Sequence, residues 1–232
     1  MQSPKYFWIQ IRFPQTEPCI FITDKISSLS VSAFSKNGQY FAYGLSDSGS
    51  DWVTIHVKET RDGAPMDLES EPIKFTSIAW THDDAGFFYN RYKKPELVDS
   101  DKAGTETESN KNAMIYYHRL GESQDADLLS FKDPENPDHM PHVKVSDDGK
   151  FIILTISESC DPANKLYICD TSKQYGSKGI TAPPNFQKIV DKFEAEYQYL
   201  TNDDSVFYFV TTLNAPKRRV VKYDLNNPHL VK

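Results

Sequence analysis

The chain has 232 residues, 38% hydrophobic and 13% aromatic, with a formal net charge of −7. That length supports a real core in one all-β domain, and no apolar run approaches the ~20 residues of a membrane span. The acidic charge is dispersed, and the one basic cluster, Lys217-Arg218-Arg219, reads as a solvated face beside a strand, so nucleic-acid binding, which needs a basic stripe, is not expected. Cys19, Cys160 and Cys169 are odd in number and widely spaced, which argues against a disulfide framework. The N-terminus offers no apolar signal segment, and no Asn-x-Ser/Thr sequon occurs, so a reducing, cytoplasmic compartment is expected.

Residues 1–22 carry Pro4, Pro14 and Pro18, match nothing later in the chain and read as an irregular leader. From residue 23 to 232 one plan recurs four times: a polar turn, a strand, a loop, a strand. In the first copy, residues 28–34 alternate, which puts Leu29, Val31 and Ala33 on one side. Asn37-Gly38 then makes the turn into a strand over 40–45, because both residues tolerate positive φ. A small-residue loop (46–50), a strand over 51–58 and a weak outer strand near Met66–Leu68 follow. The second copy opens with Ile73–Trp80, turns at Asp83–Gly86 and has its middle strands split by a long polar run, Lys93–Asn112. The third runs from about Pro141 to Val190, with a short first strand at Val143 and Val145, a turn at Asp147–Gly149 and a loop at Glu158–Asn164. The fourth begins at Glu194–Leu200, turns at Asn202–Asp204 and is expected to end after three strands.

Gly38, Gly86 and Gly149, with Ser205 in the fourth place, mark the copies. The unit stays near propeller-blade length, about 40–50 residues, once the long second loop is set aside. The expected fold is therefore all-β: an incomplete β-propeller of about four blades, at about 28–70, 73–132, 141–190 and 194–232. Strands within a blade are antiparallel neighbours. The turns after the first strands must then share one face. The 93–112 run, the Glu158–Asn164 loop and the approaches to the first strands at Phe75 and Met140 share the other. Two faces, Leu29/Val31/Ala33 and Tyr197/Tyr199, are expected to lack a neighbouring blade.

Long strings identify a resemblance: YFAYGLSDSGSDWVTI (40–55), AWTHDDAGFFYNRY (79–92), GTETESN (104–110), SDDGKFIILTISESCDPANKLY (146–167) and FEAEYQYLTNDDSVF (193–207). Over about residues 24–225 the sequence resembles the N-terminal β-propeller of the prolyl oligopeptidase family. The resemblance implies a seven-bladed propeller that caps an α/β-hydrolase domain in a cytosolic serine endopeptidase. Such an enzyme cuts short peptides after proline, and the propeller restricts larger substrates. The partners implied are that hydrolase domain and short proline-containing peptides. The catalytic half of the family pattern falls outside these 232 residues. There is no Gly-x-Ser-x-Gly elbow. The nearest string, Gly44-Leu45-Ser46-Asp47-Ser48, ends in serine and follows a strand without opening a helix. No catalytic residue, cofactor or metal is assigned.

The resemblance places Phe75 beside a proline pocket, Met140 and Cys160 next to it, and Thr105, Glu106 and Thr107 in a gating loop. Ser157 stands where the family often has arginine. Each residue also has a plain reading: a core aromatic, a gap-filling methionine, an inert thiol. The paired aspartates 83–84, 147–148 and 203–204 lack a calcium-loop pattern and suit turns. His139-x-x-His142 lacks a nearby third zinc ligand. Two other readings of the whole stay open: a non-catalytic propeller that binds peptides, and a truncated product without a function of its own.

Overall fold

The computed structural model describes residues 27–47, 49–67, 73–92 and 111–231. Four antiparallel sheets follow one another along the chain, as blades of a partial β-propeller. The first contains β1 (Ser27–Phe34), β2 (Tyr40–Asp47) and β3 (Trp52–Glu59). β4 (Pro65–Asp67) and β5 (Ile73–Lys74) both pair with β3. The second is β6 (Ile78–Trp80), β7 (Gly86–Arg91), β8 (Met114–Arg119) and β9 (Leu128–Lys132). The third is β10 (His139–Val145), β11 (Phe151–Glu158), β12 (Asn164–Asp170) and β13 (Gln187–Val190), with the helix α1 (Thr171–Tyr175) between the last two. The fourth is β14 (Tyr197–Asp203), β15 (Val206–Thr211), β16 (Arg219–Asp224) and β17 (Asn227–Val231). Among the described residues, no helix is long and apolar enough to cross a membrane.

The core lies between sheets. Successive residues of a strand point to opposite faces, so a strand apolar on both faces must be covered twice. In β11, Ile152, Leu154 and Ile156 pack with Phe88, Ile115 and Tyr117 of the second sheet. Phe151 and Ile153 pack with Tyr197, Phe207 and Phe209 of the fourth. In β7, Phe87 and Tyr89 join Ala42, Ile55 and Val57 of the first sheet, while Phe88 faces the third. Each such side chain contributes about 1.5–3 kcal/mol when fully buried.

The turns between first and second strands hold the sheets together at one end. A buried hydroxyl organises three of them. Ser35 Oγ accepts from the Tyr40 amide at 2.9 Å, and Ser146 Oγ from the Phe151 amide at 3.0 Å. Thr81 Oγ1 donates to Asp83 at 2.6 Å. Adjacent turns then meet. The Asn37 amide donates to Asp84 at 3.3 Å, and the Trp80 indole to the Ala33 carbonyl at 3.1 Å. Asn202 Nδ2 donates to Asp148 at 2.9 Å. At Gly149, with φ +74°, a β-carbon would lie 2.4 Å from the His82 ring, so both backbone and packing require glycine there.

Several elements differ from the sequence reading. Ile73–Trp80 is not one strand. Ile73 pairs with Val53 and Lys74 with Trp52 at the outer edge of the first sheet, and only Ile78–Trp80 opens the second. Phe75, with φ +44°, breaks the run. β10 begins at His139 rather than Val143. It is an edge strand, so Pro141, which cannot donate to a ladder, is tolerated. The fourth sheet has an outer strand after all, because Leu225 and Asn226 turn so tightly that β17 pairs with β16 from Asn227 onward. Tyr197 and Tyr199 do not lack a neighbour but pack on the third sheet. Among the described residues of the fourth, Leu200 and Val220 are exposed large apolar side chains. The register also realigns the copies. Asp84, not Gly86, matches Gly38 and Gly149, two residues before its strand, and Asp204 completes the set.

Burial alone would raise the Asp148 carboxyl, but hydrogen bonds from Ser146, the Lys150 amide and Asn202 hold it below the ordinary carboxylate value. A group depressed in the folded state stabilises above its unfolded pKa, near 4, and loses that contribution as pH falls through the folded value. Replacing Asp148 with Asn should therefore lower the thermal midpoint at pH 7 and narrow the gap between the midpoints at pH 7 and pH 3. Thermal scans at both pH values check this.

Candidate substrate-facing rim

The end opposite the turns carries three of the residues singled out from the sequence. Phe75 sits between β5 and β6, is 53% exposed and meets Tyr92 edge-on with ring centroids 6.1 Å apart. Positive φ is uncommon for a bulky side chain and costs about 1–3 kcal/mol. Met140, in β10, is 38% exposed and pairs with Ser157 of β11. Cys160 is exposed three residues further on. Ser157, at the family's arginine position, makes only a weak 3.5 Å contact from its hydroxyl to the Met140 carbonyl. Thr105, Glu106 and Thr107 lie outside the described residues.

Two buried polar groups fix this rim: Asn90, which the sequence did not single out, and His139, which it offered only within the His139-x-x-His142 pair. Asn90 lies one residue past Tyr89, the last β7 residue paired with β6, and pairs on its other side with Ile115 of β8. Its amide donates to Thr76 Oγ1 at 3.1 Å, and its Oδ1 accepts from the Ser77 amide at 3.3 Å and hydroxyl at 3.0 Å. Its Nδ2 donates to the Pro141 carbonyl at 2.7 Å, across to the third sheet. On the other side of Met140, buried His139 bonds through Nδ1 to Asp133 at 2.7 Å. Burial alone would raise the Asp133 carboxyl, but hydrogen bonds from Asn136 and His139 hold it low. The strand pleat puts His142 on the face opposite His139, so the two do not converge on one ligand.

Other polar groups are bonded within the sheets. Ser46 is buried within β2, with its hydroxyl 2.8 Å from that of Ser28. Burial pushes the Cys169 thiol up to about 11, and its Sγ lies 3.1 Å from Gln174 Oε1. In the second sheet, Asp127 receives the Tyr89 hydroxyl and lies 2.7 Å from His118 Nδ1, with His118 and Asp127 both fully buried. Burial and the Asp127 charge push the Tyr89 phenol up. This is a buried polar network, and only its residue types were visible in the sequence.

A profile of the prolyl oligopeptidase N-terminal β-propeller domain matches residues 23–232. The chain belongs to the prolyl oligopeptidase N-terminal β-propeller family. It is 36% identical over 220 residues to prolyl oligopeptidase A of Galerina marginata, covering 90% of this chain and 29% of the relative. It is 31% identical over 255 residues to the prolyl endopeptidase of Dictyostelium discoideum, covering 97% of this chain and 33% of that protein. Prolyl oligopeptidase B of Galerina marginata, solved with a 35mer hydrolysis and macrocyclization substrate, superposes with a TM-score of 0.75 at 29% identity, covering 89% of this chain and 29% of that structure. The propeller chain thus spans about a third or less of the relatives it matches.

Truncating Asp127 to Ala would leave the His118 and Tyr89 groups without that acceptor in the propeller core. Breaking a buried pair in this way costs about 3–5 kcal/mol. Urea unfolding of Asp127→Ala and Asp127→Asn should show the larger loss for alanine and leave the m-value unchanged.

Proposed function

We propose that this chain forms a wall of the substrate cavity, and controls access to it, in a serine endopeptidase that hydrolyses short peptides after proline. Bond cleavage would be carried by an α/β-hydrolase domain outside these residues. The observation that carries the reading is Phe75, an exposed aromatic held at positive φ on the same rim as Met140 and Cys160. Exposed aromatic area costs solvation and strained backbone costs conformational energy, so both point to a surface shaped for a ligand. A proline ring is apolar, compact and rigid. It stacks well on an aromatic face, and its tertiary amide offers no donor that the wall must satisfy. Met140 supplies an adaptable apolar neighbour. Relatives named prolyl oligopeptidase and prolyl endopeptidase support proline as the recognised residue. Residues 105–107 would act at the mouth of the cavity, by the resemblance that singled them out.

In a Cys19→Ser background, Cys160 provides a built-in reporter, because its thiol is exposed and Cys169 is buried. A capped peptide with an internal proline should slow iodoacetamide alkylation of Cys160 saturably, by at least about threefold, whereas its alanine counterpart should not. Phe75→Ala should abolish the protection. Alkylation at equal rates with both peptides would overturn the reading.

A further inference from the structure

We infer that Asn90 is a positioning residue that sets the placement of Phe75 relative to Met140, and with it the width of the apolar wall. The inference rests on the substrate-cavity reading. Phe75 lies in the link between the first and second sheets, and Met140 lies on the edge strand of the third. The Phe75 segment leaves the first sheet at Lys74 and joins the second at Ile78, so Phe75, Thr76 and Ser77 have no ladder of their own. Asn90 supplies their anchorage. Its amide and side-chain oxygen take up Thr76 and Ser77, while its Nδ2 holds the carbonyl next to Met140. One buried side-chain amide therefore spans both segments. The carboxamide is planar, with an acceptor and a donor on opposite ends. Moving either segment must strain or break its bond to the other. The same clamp holds Phe75 in its left-handed conformation, because relaxing φ would swing Ser77 away from Oδ1.

Asn164 offers an internal comparison. It is also buried, accepts from the Tyr197 amide at 2.7 Å and donates to the Tyr197 carbonyl at 3.3 Å, bridging the third and fourth sheets. Its loss should destabilise the fold without moving Phe75. Asn90 differs in that its two ends hold two different segments.

The test uses residues 1–232 with 4-fluorophenylalanine at position 75 and carbon-13 methyl-labelled methionine. Asn90→Ala should shift both the fluorine signal and the Met140 methyl signal, and raise the peptide concentration for half-protection of Cys160 about tenfold, as expected when a preorganised site is loosened. Asn90→Asp keeps the acceptor for Ser77 and loses the donor to Pro141, so it should move the Met140 signal and leave the fluorine signal near its original place. Ser77→Ala should do the reverse. Asn164→Ala should lower the thermal midpoint and move neither. If Asn90→Ala does not fold, the Asp and Ser77 variants carry the comparison. Unmoved signals in the Asn90 variants, or equal effects from Asn164→Ala, would overturn the positioning role. Shifted signals with no proline-dependent protection in the unmodified chain would uphold it and overturn the cavity reading instead.

Discussion

The constraint on which the rest depends is that the middle strands of these sheets are apolar on both faces. β11 buries Ile152, Leu154 and Ile156 on one side and Phe151 and Ile153 on the other. Such a strand is unstable in an open sheet with one wet face and stable only between two neighbours. Sheets that each need two neighbours stack in series, and the stack is a propeller arc. The contacts between sheets run in that order, from β1 to β6, from β6, β7 and β8 to β10, and from β12 to β14. Repeat proteins of this kind gain much of their stability from interfaces between adjacent units.

Serial stacking divides the molecule into two unlike ends. At one end the short turns interlock, and several of their aspartates accept hydrogen bonds from the turns. Asp83 accepts from Thr81 and the Ala85 amide, Asp84 from the Asn37 amide, and Asp148 from Ser146, Lys150 and Asn202. At the other end, segments cross between sheets, and no common ladder can hold them. Buried side-chain amides take over there, and they are directional where apolar packing is not. Asn90 and Asn164 pair with backbone groups of the next sheet, so each seam has a defined register as well as a hydrophobic area. A buried polar group is costly unless satisfied, so the same bonds penalise sliding of one sheet on the next.

Much of this was legible in the sequence because it is local. Period-two alternation and Asn-Gly or Asp-Gly turns marked most of the strands, and the direction argument put Phe75, Met140 and Cys160 at one end. What was not legible came from competition between local rules and long-range pairing. Val143 and Val145 alone suggested a short first strand, yet β10 begins at His139, and at a sheet edge Pro141 needs no donor. Ile73–Trp80 is mostly apolar, and nothing local says that Ile73 pairs with Val53 while Trp80 pairs with Phe87. The glycine count favoured Gly86, whereas the turn geometry selected Asp84, which also tolerates positive φ. The short helix did leave signals, Asp170 capping the Lys173 amide and Gly176 at its end, inside what otherwise reads as a strand-to-strand loop. Asn90 left none, because its partners are 13, 14 and 51 residues away.

In the proposed arrangement, chemistry would belong to a hydrolase domain facing the rim, and the propeller would contribute geometry: an apolar wall at fixed spacing, with a seam that resists deformation. The most direct test is a crystal structure of the chain with a capped proline-containing peptide bound. The account predicts the proline ring against the Phe75 face, Met140 in contact with it, and Phe75 still at positive φ. A peptide seated on the turn end, or a Phe75 that relaxes to negative φ and turns into the core, would contradict it.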